Sequence, residues 1–118
     1  MPATEVVDQD ITGLTGVVPS YAAANVAGNY IQNDGRIILQ FKNTNGATRT
    51  VTFNSLKACE QGSDHNVAVT IDATSGNKFV GPFSQERFND GSGQVGFTYD
   101  AVADLTVAAF KVGSTPLT

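Results

Sequence analysis

The sequence contains few charged, nucleophilic or metal-ligating side chains. Of its 118 residues only 15% are Asp, Glu, Lys or Arg, and it has one cysteine and one histidine. A single cysteine excludes an internal disulfide, and a core of this size needs neither a disulfide nor a metal ion. Seven Lys and Arg against eleven Asp and Glu provide few groups to neutralise phosphates. We therefore expect no cofactor, no nucleic-acid partner and no membrane partner.

Long apolar runs and targeting segments are also missing. Residues 1–5 have neither the basic region nor the apolar region of a signal peptide. No run approaches the roughly eighteen apolar residues of a membrane-spanning helix. The length is that of one domain, so we expect a single domain over residues 1–118 that is neither secreted nor inserted in a membrane.

Alternating apolar and polar residues occupy much of the chain. Ile37, Leu39 and Phe41 alternate with residues of a second face, which is the period-two pattern of a strand with one buried side. Further strand patterns cover 47–54, 67–71, 78–80, 95–99 and 105–112, with weaker ones at 5–7 and 15–18. Turn residues separate these segments at near-regular spacing. The sequence therefore predicts an all-β fold, an antiparallel and jelly-roll-like β-sandwich of about seven or eight strands.

One connection carries a specific turn signal. Asn45-Gly46 lies between the strand segments 36–42 and 47–54. This dipeptide tolerates positive φ at both centres of a type I′ turn, whose twist matches that of a two-stranded ribbon. We therefore predict that the two segments form a β-hairpin.

Two segments allow alternatives. Residues 20–29 are rich in alanine, with Ser20 as a candidate N-cap and Gly28 as a candidate residue beyond a helix C-terminus. They form either two helical turns or an irregular crossing loop. Residues 1–14 form either an extended N-terminal arm or the first strand of the sandwich.

Catalytic patterns are not evident. His65 is the only histidine and lies in a loop beside Asp64, six residues after Cys59. We interpret His65 as a hydrogen-bonded or solvated side chain and Cys59 as a small buried thiol. The spacings of zinc ligands are absent, and residues 89–93 lack the alternating acidic ligands of a calcium loop. We expect no enzymatic activity and no catalytic, cofactor-binding or metal-binding residues.

Apolar side chains near turns are the remaining candidates for binding a partner. Phe79, Phe83 and Phe88 crowd around Gly81-Pro82, so not all of them can be assumed to face inward. The alternative is that Phe83 and Phe88 close one end of the sandwich. Apolar residues of the N-terminal segment can add a strand or anchors to a partner. The candidate partner-binding residues are Val6, Val7, Ile11, Leu14, Phe83 and Phe88.

Several turn and core motifs run through the sequence. They are Gly35-Arg36, Asn45-Gly46, Gly81-Pro82-Phe83, Glu86-Arg87-Phe88-Asn89-Asp90, Thr98-Tyr99 and Thr106-Val107-Ala108-Ala109. In these motifs, over roughly residues 30–110, the chain resembles small proteins encoded in the structural-gene regions of tailed phages and prophages.

The resemblance implies a capsid decoration (cement) protein. Such small β-sandwiches sit as dimers or trimers on the outside of the head. The chain would then be a non-enzymatic virion protein that binds the major capsid protein and itself. It would be made in the host bacterial cytoplasm and located on the capsid surface. The alternatives are a head–tail connector or tail component, and a carbohydrate-binding β-sandwich module with Tyr21, Tyr30 or Tyr99 in its site.

Overall fold

A computed structural model describes residues 3–11, 18–55 and 66–112, which form ten β-strands and one helical turn. The strands are β1 (Thr4–Glu5), β2 (Asp8–Ile11), β3 (Ala22–Ala23), β4 (Asn29–Gln32), β5 (Ile37–Asn43), β6 (Arg49–Phe53), β7 (Val67–Ile71), β8 (Gly76–Val80), β9 (Gln94–Tyr99) and β10 (Leu105–Val112). The helical turn, α1, spans Gln85–Phe88. The predicted all-β class is confirmed.

The strands form two sheets packed face to face. The first sheet has the order β1-β4-β9-β6-β7, and the second has the order β2-β10-β5-β8, with β3 also paired to β10. From β4 to β10, five of the six connections between consecutive strands pass from one sheet to the other. This alternation between sheets is that of a jelly roll. The predicted β-sandwich is confirmed.

The N-terminal segment contributes a strand to each sheet. β1 runs parallel to β4, and β2 runs parallel to β10. The sheets are therefore mixed, and residues 4–11 follow the first-strand alternative. β3 pairs with β10 in the antiparallel direction. One edge of β10 is therefore shared by β2 and β3, which run in opposite directions.

The predicted β-hairpin is wrong, although both of its strands form. β5 pairs with β10 and β8, whereas β6 pairs with β7 and β9. Asn45 and Gly46 are not among the residues of positive φ, so no type I′ turn forms. Instead the side-chain oxygen of Asn43 accepts from the Asn45 N–H, and that of Asn45 accepts from the Ala47 N–H, each at 3.0 Å. These two successive Asx turns carry the chain from one sheet to the other.

The core lies between the sheets and contains the residues that the alternation predicts. Ile37, Leu39 and Phe41 of β5 are all buried there. The Phe41 ring meets those of Phe53 and Phe97 edge to face, at centroid distances of 6.1 and 5.9 Å. Each such ring stabilises the fold by roughly 1.5–3 kcal/mol through burial.

Residues 20–29 form a short strand and a turn, with no helix. Ala22 of β3 pairs with Val107, and the Ala24 N–H donates to the carbonyl oxygen of Leu105 at 3.0 Å. The backbone groups that a helix would use are therefore occupied by β10. Gly28 has a φ of +97°, and a Cβ there would lie 2.9 Å from the carbonyl oxygen of Phe97. This glycine permits a close approach of two backbones and does not follow a helix.

Candidate partner-binding surface

Two of the predicted partner-binding residues belong to the core. Val6 and Phe83 are each 5% exposed. The Phe83 ring contacts that of Phe53 at 5.0 Å and that of the half-buried Phe88 at 5.5 Å. These contacts agree with the alternative in which Phe83 and Phe88 close the sandwich. No partner is needed to explain the apolar character of Val6 and Phe83.

The other predicted residues lie at or beyond the edges of the described chain. Val7 is 68% exposed, at the point where the chain passes from β1 to β2. Ile11 ends β2, where its backbone pairs with Val112. Leu14, Cys59 and His65 lie outside the described residues, so the interpretations of these three stay predictions.

A row of side chains crosses the face of the second sheet that points away from the core. The strand register places Ala108 beside Gln40 and Gln40 beside Phe79. Tyr21 completes the row at its other end, because the following residue, Ala22, pairs with Val107. The Tyr21 hydroxyl donates to Oε1 of Gln40 at 2.9 Å, so its side chain spans Ala108, which is buried. We call Tyr21, Ala108, Gln40 and Phe79 the outer row.

Polar side chains hold the outer row in place. Nε2 of Gln40 donates to Oδ1 of Asn77 at 2.9 Å, so both ends of the Gln40 amide are hydrogen-bonded. The Lys42 ammonium lies 4.4 Å from the centroid of the Tyr21 ring, in a cation–π contact. These contacts fix Tyr21, Gln40, Asn77 and Lys42 relative to one another.

Phe79 is the exposed aromatic residue of the outer row. Its side chain is 62% exposed, whereas the next residue, Val80, packs against the core. The sequence indicates only that Phe79, Phe83 and Phe88 need not all face inward, and the predicted partner-binding residues include Phe83 and Phe88 but not Phe79. Alternation along β8 is the sequence signal that identifies Phe79. Successive side chains of a strand point to opposite faces, so the inward-facing Val80 leaves Phe79 on the outer face.

The outer face is also distinct in charge. Besides the outer row, its described side chains include Ile38, Lys42, Asn77, Thr106 and Phe110. None of these is acidic, although Asp and Glu outnumber Lys and Arg in the whole chain by eleven to seven. The only charge on this set is the Lys42 ammonium.

A separate cleft of about 390 Å³ lies between the start of β2, the β4–β5 turn, α1 and the end of β10. Lys111 Nζ and Asp34 Oδ2 form an ion pair of 2.8 Å there, and the hydrogen bond from Lys111 lowers the pKa of the Asp34 carboxyl. Both side chains are about 40% exposed, so solvent screens the pair.

The buried Asn33 donates to the carbonyl oxygen of Phe83 and to Oδ1 of Asn89. Every buried side-chain nitrogen and oxygen of the described residues has a hydrogen-bond partner.

Metal sites and membrane-spanning helices were sought in the same described ranges. Within residues 3–11, 18–55 and 66–112, no three His, Cys, Asp or Glu side chains are grouped to hold a metal ion. No helix in these ranges has the length and apolar character needed to cross a membrane.

Comparison of the chain with known protein families, with curated proteins and with solved structures gave no match. The fold and the outer row are therefore the structural observations from which a function can be argued.

Proposed function

We propose that the protein is a non-enzymatic structural protein of a tailed phage that binds the outer capsid surface and stabilises the head. The resemblance of its turn and core motifs to small phage virion proteins supports this function. The structural observation that carries the proposal is the outer row, in which Phe79 is exposed beside hydrogen-bonded amides. An exposed aromatic side chain surrounded by uncharged polar groups is typical of protein-binding surfaces.

The physical demands on a decoration protein match these features. It must fold alone, and then bury additional area where capsid subunits meet. Tyr21 and Gln40 of the outer row are already held by hydrogen bonds, so their side chains lose little entropy on binding. Each modest contact is repeated over the symmetric lattice, which multiplies its effect on the head. A net charge of −4 gives the chain little attraction to packaged DNA.

Titration of the purified protein onto expanded, DNA-free heads tests this function. We expect stoichiometric binding and a higher melting temperature of the heads. The variant Phe79→Ser should weaken binding about tenfold or more, as expected for an aromatic anchor. Val26→Ser is the matched control, because Val26 is also strongly exposed but lies on the turn between β3 and β4. Unchanged head melting at saturating protein would refute the proposal.

The two alternatives make different predictions. A head–tail connector or tail component would be present as a single small ring in each particle, whereas a decoration protein is present in hundreds of copies, so counting copies separates them. A carbohydrate-binding module finds less support, because the hydroxyls of Tyr21 and Tyr99 are bonded within the chain, to Gln40 and Asn29. Binding on a glycan array, tested with and without Ca²⁺, would favour that alternative.

A further inference from the structure

β8 is an edge strand, and its backbone orientation follows from the pairing of β5. In an antiparallel pair, the N–H and C=O of one residue point to the same side, and successive residues point to opposite sides. The Thr44 N–H donates to the carbonyl oxygen of Asp104, on the β10 side of β5. Phe41, three residues before Thr44, therefore points its backbone groups to the β8 side, where it pairs with Lys78.

The backbone groups of Asn77 and Phe79 consequently point away from β5. No described strand lies on that side of β8, so two N–H and two C=O groups line the outer edge of the second sheet. The Phe79 ring stands on the outer face at this same edge. Among the described residues, the edge thus combines backbone hydrogen-bonding groups that no strand uses with one large apolar side chain.

The neighbouring edge strand, β7, is protected where β8 is not. The Asp100 N–H donates to the carbonyl oxygen of Thr50, so Thr50 faces β9 and its cross-strand partner Thr70 points its backbone groups outward. The ammonium of Lys78 donates to the carbonyl oxygen of Thr70 at 2.8 Å. A lysine therefore covers the β7 edge, which is a common protection of edge strands. β8 contains no proline, and its own lysine is committed to β7.

We propose that β8 is a self-association edge, through which two copies of the chain pair antiparallel about a two-fold axis. A two-fold contact requires a patch that is complementary to itself. An antiparallel strand edge fulfils this, because each outward residue both donates and accepts one bond. The second sheets of the two copies then join into one continuous sheet.

The side chains of β8 select the register of this contact. An axis through Lys78 would place the two Lys78 side chains directly opposite each other, and like charges in that position are destabilising. An axis through Asn77 or through Phe79 avoids this, but only the axis through Phe79 places the two exposed rings side by side on the outer face, with Lys78 beside Val80 of the second copy. We therefore place a second copy of the chain at the β8 edge, where the two Phe79 rings can pack together and the two Lys78 side chains do not face each other.

This inference goes beyond the proposed function and rests on it only for its role on the head. Pairing in solution needs no capsid, and capsid binding by single copies needs no pairing. A failure of one is therefore distinguishable from a failure of the other.

Sedimentation equilibrium of the full chain over a range from micromolar to millimolar concentration is the test. We expect a monomer–dimer equilibrium. Phe79→Thr removes the ring and keeps the strand. Asn77→Pro removes an outward N–H that β5 does not use, together with the Oδ1 that accepts from Gln40. Each should raise the dimer dissociation constant about tenfold or more, with an unchanged circular dichroism spectrum.

Two matched controls accompany these variants. Val26→Thr removes an exposed apolar side chain from a turn, and Thr70→Pro removes an outward N–H from β7. Both should dimerise as the unmodified chain does. If Asn77→Pro fails to fold, Phe79→Thr decides alone. A chain that stays monomeric at millimolar concentration, or a folded Phe79→Thr variant that dimerises normally, would overturn the proposal.

Discussion

The hydroxyl of Tyr99 donates to Oδ1 of Asn29 at 2.5 Å, which joins β9 to the start of β4. Asn29 is 2% exposed, and its Nδ2 donates to the carbonyl oxygen of Thr4 at 2.9 Å. One amide therefore ties three strands of the first sheet, β1, β4 and β9, together.

Removal of this amide should destabilise the protein more than removal of the hydroxyl. Asn29→Ala removes the acceptor of the Tyr99 hydroxyl and of the Asn25 N–H and one donor to the Thr4 carbonyl, and we expect a loss of about 3 kcal/mol. Tyr99→Phe removes one bond and should cost about 1 kcal/mol. Urea unfolding measures both, with the exposed Thr98→Ala on β9 as the control. Equal losses for Asn29→Ala and Tyr99→Phe would contradict this assignment.

Alkaline pH should destabilise the fold through Tyr99. Burial raises the pKa of this phenol above its ordinary value, so the folded state binds the proton more tightly than the unfolded state. The contribution of Tyr99 to the free energy of unfolding is then fully present below the pKa of the unfolded state, about 10, and falls as the pH rises above that value. Unfolding free energies measured from neutral to alkaline pH should decline less steeply for Tyr99→Phe than for the unmodified chain. Parallel declines would show that another group is responsible.

Substitution by alanine should destabilise the protein more at Gly28 than at Gly35, because only Gly28 lies close to another backbone. Gly28 and Gly35 have similar φ, +97° and +88°, but a Cβ meets the Phe97 carbonyl oxygen at 2.9 Å only at Gly28. Gly35→Ala pays for the backbone conformation alone, about 1–2 kcal/mol. Gly28→Ala adds the clash and should cost clearly more. Thermal unfolding of the two variants compares them, and an equal loss would mean that the backbones separate without cost.

The two N-terminal valines should differ in their contribution to the free energy of unfolding, because Val6 is buried and Val7 is exposed. Val6→Ala removes two buried carbon atoms and should cost about 2 kcal/mol. Val7→Ala changes a side chain that is largely exposed, so its unfolding free energy should remain within about 0.5 kcal/mol of the unmodified value. Measurement of head binding beside unfolding tests whether Val7 contacts the capsid. A destabilised Val7→Ala with a stable Val6→Ala would reverse the orientation assigned here.

The turn between the sheets depends on Asn43. This asparagine is fully buried, and its Nδ2 donates to the carbonyl oxygens of Ala47 at 2.9 Å and Asp72 at 3.0 Å. We expect Asn43→Ala to cost about 2–3 kcal/mol because these carbonyls lose their donor. Asn43→Asp keeps the oxygen that accepts from Asn45 but faces the carbonyls with oxygen, so it should be no better. Chemical unfolding checks both against the exposed Asn54→Ala; a tolerated Asn43→Asp would locate the role of Asn43 in its acceptor alone.

The candidate surface was only partly predictable from the sequence. Crowding of phenylalanines pointed to the right stretch, and alternation with Val80 identifies Phe79 as the outward residue. The contact of Tyr21 with Gln40 has no local signal, because it joins two strands through β10 and depends on register.

Alternation alone determined which side chains of β5 and β9 enter the core, because side chains alternate along a strand whatever strand lies beside it. For the same reason, alternation does not predict which strands pair. β5 and β6 would show the same pattern whether they formed a hairpin or lay in opposite sheets. The tertiary structure made that choice through the buried Asn43, whose hydrogen bonds to Ala47 of the same connection and to Asp72 of the β7–β8 connection favour a corner over a tight turn. Which edges of the described sheets lack a neighbouring strand, and hence where we propose that Phe79 meets a partner, likewise followed only once the sheets had assembled.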